Sequence, residues 1–141
     1  MNAMTVKVFV YGTLMPGECN HQAYCPSQIE PPARGYVLGQ IYHLQHFGYP
    51  AMAIGQDRVW GYCLTFPPNF FLDQLDSLED YQAERDPEEN VYERCWATVF
   101  DPQGGEMAGA WLYRMDPRKI ERYGGIYLPT GCWSGCQEFP H

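Results

Sequence analysis

Only one stretch of this chain, Asn69 to Tyr81, carries a convincing helical period; most of the remainder alternates as strands or is broken by Gly and Pro. Asn69 follows Pro67-Pro68 and reads as the helix N-cap. A short second helix is expected over Pro117 to Tyr123, with proline in its first turn. Five segments read as strands: Thr5 to Tyr11, Arg34 to Leu44, Val59 to Phe66, Tyr92 to Phe100 and Glu106 to Arg114. Pro16 to Pro32 reads as loop with room for one helical turn, Phe47 to Pro50 as a turn, and Gly104-Gly105 as a hairpin turn. Two glycines interrupt Arg34 to Leu44 and suggest bulges or tight curvature. The expected fold is α+β: a small, strongly curved mixed sheet closed into a barrel or roll. The main helix sits against one end and a short helix lies near the C-terminus.

With 141 residues, 45% of them hydrophobic, one domain over 1–141 with one core is expected. The formal net charge is -8, from nine Lys plus Arg against seventeen Asp plus Glu. Without basic clusters there is no counterion-release drive toward nucleic acid or anionic membranes, so neither is expected as a partner. No segment reaches the roughly 18 apolar residues that span a bilayer. Met1 to Met4 has neither a basic start nor an apolar signal core, so a cytoplasmic location is expected, with Met4 as a second candidate start. Cys19, Cys25, Cys63, Cys95, Cys132 and Cys136 form no Cys-x-x-Cys and have no His at zinc spacing. Reduced thiols are the expectation, with no metal and no organic cofactor.

The two chemically suggestive features lie far apart in sequence. The first strand runs directly into Tyr11-Gly12-Thr13-Leu14 and then Pro16-Gly17. A turn at a strand end presents backbone N–H groups outside any ladder, and such groups bind anions and oxyanions. On a wheel of about 100° per residue, Phe71, Leu72, Leu75 and Leu78 share one arc. Asp73, Asp76 and Asp80 fall outside it, but Glu79 falls inside. Burial and the partial negative charge of a helix C-terminus would both raise the pKa of such a carboxyl. Glu79 is therefore a candidate general acid or base. A Glu that snorkels to solvent or pairs with an Arg would show the same pattern.

Several segments together resemble one family. Tyr11-Gly12-Thr13-Leu14, followed by Gly17 and Asn20-His21, is similar to the glycine-turn motif of the γ-glutamylcyclotransferase-like superfamily, and most similar to its γ-glutamylamine cyclotransferase branch. Tyr49-Pro50-Ala51, Trp60-Gly61-Tyr62, Tyr92-Glu93-Arg94 and Leu72 to Tyr81 resemble further family segments in the same order. Thr130-Gly131-Cys132-Trp133 resembles a C-terminal Ser-Gly-Asp-Trp found in part of the family. Asp80 stands where Gly is common after the catalytic Glu, and Cys132 stands where that C-terminal motif has Asp.

The resemblance implies a small β-barrel with flanking helices. It also implies an enzyme that releases 5-oxoproline from a γ-glutamyl amine or a related small γ-glutamyl conjugate, without a cofactor. By the same carry-over, Glu79 is the catalytic acid/base, and Tyr11, Gly12, Thr13 and Leu14 hold the glutamyl moiety. The substrate α-carboxylate needs a cation, for which Arg94 and Arg114 are candidates. Resemblance of fold does not guarantee turnover, and a non-catalytic module that binds a small acidic metabolite is the alternative.

Overall fold

The computed structural model describes residues 5–18, 21, 28–70, 72–82 and 84–133. Six strands make one sheet: β1 (Val6–Val10), β2 (Ala33–Leu44), β3 (Tyr49–Phe66), β4 (Glu93–Phe100), β5 (Glu106–Arg114) and β6 (Gly125–Tyr127). Among the described residues two short helices accompany them, α1 (Asp73–Leu78) and α2 (Pro117–Arg122), with a 3-10 turn at Pro87–Glu89. This is a sheet-dominated α+β fold.

Pairing runs β3-β1-β5-β4-β2-β6, and β2 also pairs with β3. Hydrogen bonding therefore passes from β3 through β1, β5, β4 and β2 and returns to β3. The β1–β5 contact is parallel at Val8 and Trp111, and the other pairings are antiparallel. Two of the links are single bridges, Val8 with Trp111 and Tyr36 with Phe100. Gly35 makes the second approach feasible: a Cβ there would lie 2.4 Å from the Phe100 carbonyl oxygen. The second glycine of the strand, Gly39, sits at a register shift against β3, the bulge expected from the sequence. Val8, Phe9, Val37, Ile41, Leu64, Phe66 and Leu112 fill the interior.

Two expectations are corrected, and two elements were not anticipated. The main helix spans only Asp73–Leu78, and its N-cap position is Leu72, without a side-chain cap bond, rather than Asn69. Before it, Phe70 N–H turns back to the Pro67 carbonyl and the Phe70 ring stacks on Phe66 at 4.0 Å, so those residues pack on β3 instead of extending the helix. Next, β3 begins at Tyr49, ten residues earlier than Val59, because β2 supplies a partner for that whole stretch. Finally, β6 and the 3-10 turn have no clear signal in the sequence; β6 exists through its pairing with Tyr42, His43 and Leu44. In contrast, β5 has the expected limits, and Asp101 closes the preceding turn by accepting from Gln103 and Gly105 N–H.

Among the described residues no helix is long and apolar enough to cross a membrane. Cys63, Cys95 and Cys132 carry free thiols, while Cys19, Cys25 and Cys136 lie outside the described residues.

Candidate active site

The end of β1 and the end of α1 meet over one cavity of about 120 Å³. Tyr11, Gly12, Thr13 and Leu14 line one side; Leu78, Glu79 and Asp80 line another; Tyr49, Pro50, Tyr92 and Tyr113 complete the wall. Segments separated by more than sixty residues thus share one space.

The glycine turn is closed by Met15 N–H donating to the Gly12 carbonyl at 3.0 Å. Gly12 is required by proximity: a Cβ there would lie 2.7 Å from Pro50 Cγ. His21 holds the following loop, with Nδ1 2.8 Å from the Leu14 carbonyl oxygen.

Glu79 is the C-cap residue of α1, and its N–H donates to the Leu75 carbonyl at 3.0 Å. Its own carbonyl accepts from Tyr92 N–H at 3.3 Å, and the Asp80 carbonyl accepts from Val91 N–H at 3.1 Å. Those two bonds strap the helix end to the segment before β4. Burial pushes the Glu79 carboxyl up to about 7. Asp80 then adopts φ 50°, the left-handed region, which accounts for glycine being common at this position in the motif it resembles. Asp80 is steadied by Arg85, which reaches both its carboxylate at 3.1 Å and its carbonyl at 2.8 Å.

Four tyrosines surround the carboxyl. Burial raises the phenols of all four; the Glu79 charge comes next for Tyr11 and Tyr49, Tyr11 for Tyr92, and the hydrogen bond to Asp76 for Tyr113. Three of them are committed to the frame. Tyr11 donates to the Tyr113 carbonyl at 2.6 Å, and Tyr92 donates to the Pro50 carbonyl at 2.6 Å. Tyr113 donates to Asp76 at 2.6 Å. The Tyr49 hydroxyl has no hydrogen-bond partner among the described residues.

The two candidate arginines stand elsewhere. Arg94 pairs with Asp76 at 2.7 Å and lies over the rings of Tyr81 and Trp111. It does not line the cavity. Arg114 does not line it either, although its charge bears on the Tyr11 phenol. Its Nε is buried and has no hydrogen-bond partner among the described residues. Asp76 was invisible as a site residue in the sequence, where it reads as one of several exposed helix acids. In the fold it joins α1 to β4 through Arg94 and to β5 through Tyr113. Tyr113 likewise gave no local signal, because its place on the cavity wall depends on a contact with a helix 37 residues away in sequence.

The family model described as gamma-glutamyl cyclotransferase, AIG2-like, matches residues 8–135. The chain belongs to this family. Similar solved structures include an AIG2-like protein from Mus musculus, at 18% identity and TM-score 0.66, with 96% of this chain and 99% of that chain covered. Another is described as gamma-glutamyl cyclotransferase, at 14% identity and TM-score 0.57, covering 86% of this chain and 81% of that one. YkqA from Bacillus subtilis matches at 19% identity and TM-score 0.61 over 92% of this chain, which spans only 40% of the length of YkqA. No curated protein matches. At these identities the structural likeness establishes a shared fold. Among the described residues of this family member, no three His, Cys, Asp or Glu side chains gather as a metal site requires.

Proposed function

We propose that this protein is a cyclotransferase that releases 5-oxoproline from a γ-glutamyl amine or a related small γ-glutamyl conjugate, with Glu79 as general acid/base. The observation that carries the reading is the Glu79 carboxyl, raised to about 7, in the same small cavity as Tyr11, Gly12, Thr13 and Leu14. The family described as gamma-glutamyl cyclotransferase, AIG2-like, supplies the substrate class.

In this reaction the substrate's α-amine attacks its own γ-carbonyl carbon. One C–N bond forms and closes a five-membered lactam, and the C–N bond to the leaving amine breaks. The attack is intramolecular, so holding the glutamyl chain folded supplies much of the rate. The attacking nitrogen starts as an ammonium and must lose a proton, while the leaving nitrogen must gain one. A carboxyl with a pKa near 7 performs both transfers without a large penalty for either form. The turn from Gly12 to Leu14 supplies backbone N–H groups for the developing oxyanion or for the α-carboxylate. Arg114 is the better remaining candidate for a long-range contribution to carboxylate binding, because Arg94 is engaged by Asp76.

The test is 5-oxoproline release from a panel of γ-glutamyl amines and dipeptides, run beside Glu79→Gln. Release that the variant abolishes while remaining folded supports the assignment. Release that survives in the variant removes Glu79 from its role. No release from any compound favours a binding module on the same fold.

A further inference from the structure

The cavity is small. About 120 Å³ falls well below the ~300 Å³ at which pockets begin to enclose drug-sized ligands. A substrate whose glutamyl part fills it must therefore extend its leaving group over the rim. At that rim Tyr49 is the cavity residue whose hydroxyl has no partner among the described residues, and its ring continues outward into a cluster. Phe47 stacks on Tyr49 with centroids 5.3 Å apart and planes 10° apart, and it meets Tyr123 edge-on at 4.8 Å. Phe47 is 44% exposed.

The cluster is held in place. Phe47 and Gly48 N–H both donate to the Leu44 carbonyl, at 3.2 and 2.8 Å. Gln45 and His46 N–H donate to the carbonyls of Gly124 and Tyr123, which follow α2. Two independent sets of bonds thus fix an exposed aromatic face beside the cavity mouth. The three rings carry no charge, and Arg85 already engages the Asp80 carboxylate. A leaving group that bears a carboxylate would meet the acidic side chains of Glu79 and Asp80 at the cavity wall.

Resting on the cyclotransferase reading, we propose that Phe47, Tyr49 and Tyr123 form the leaving-group subsite and select an amine that carries a flat, uncharged aromatic or apolar group. One added aromatic contact multiplies affinity by about threefold to tenfold.

The probes are γ-glutamyl-benzylamide, γ-glutamyl-methylamide and γ-glutamyl-(2-aminoethyl)amide, which share the glutamyl part. Their dissociation constants are measured by calorimetry on Glu79→Gln, where turnover does not interfere. The benzylamide is expected to bind about threefold to tenfold more tightly than the methylamide, and adding Phe47→Ala is expected to bring that ratio to about one. Equal binding, a preference for the aminoethyl compound, a ratio that survives Phe47→Ala, or no binding by any compound would overturn the subsite. Release of 5-oxoproline by the unmodified protein is measured separately. A benzylamide preference without release keeps the subsite and removes the cyclotransferase reading, whereas release without the preference removes the subsite alone.

Discussion

Glu79→Gln separates the electrostatic cost of Glu79 from its chemistry. The folded carboxyl sits at about 7 against an ordinary 4.5. A raised carboxyl favours the folded state while protonated, so this contribution is complete below about 4.5 and is lost as pH rises through about 7. At ~1.36 kcal/mol per pH unit, the gap corresponds to a loss of up to ~3 kcal/mol by pH 8. Glutamine keeps the shape and cannot ionise. The variant is therefore expected to gain on the native protein by up to ~2.5 kcal/mol between pH 5 and pH 8. Urea unfolding at pH steps across that range, taken as the difference between the two proteins, cancels the other titrating groups common to both. A difference that stays flat with pH would refute a buried, high-pKa Glu79. Loss of 5-oxoproline release in the same variant would then be a chemical effect and not a folding one.

Asp76→Ala leaves both the Arg94 guanidinium and the Tyr113 hydroxyl without their partner, and should cost ~2–3 kcal/mol in urea unfolding while lowering turnover through a displaced helix end. Gly12→Ala places a methyl 2.7 Å from Pro50 Cγ and should destabilise the fold by ~1–3 kcal/mol and raise KM for the γ-glutamyl substrate. Asp80→Ala keeps a Cβ at φ 50° while removing the Arg85 ion pair, so it should be less stable than Asp80→Gly by ~1 kcal/mol, read as a difference in thermal midpoint.

Much of the architecture was legible because its causes are local. Alternation marks β1 and β5, and Pro117 at the start of α2 agrees with Asp116 as an N-cap that accepts from Arg118 N–H. Glu79 stood out because helical spacing aligned it with Leu72, Leu75 and Leu78. The length of the helix was less legible. Propensity alone extends it back to Asn69, but stacking of Phe70 on Phe66 takes those residues away. The first half of β3 was hidden for the reverse reason. Tyr49 to Arg58 contains a proline and a glycine, and only the long partner β2 makes it a strand.

The sequence by itself determined the two features on which the proposed chemistry rests: a carboxylate on an apolar helical face and a glycine turn at a strand end, both set by residue type and spacing. The tertiary structure decided what surrounds them. It raised Glu79 by enclosing it, spent Arg94 on Asp76, committed three of four tyrosines to the frame, and left Tyr49 and Phe47 at the rim. Those outcomes depend on contacts between residues dozens of positions apart. Local spacing carries no information about such contacts until the sheet has paired.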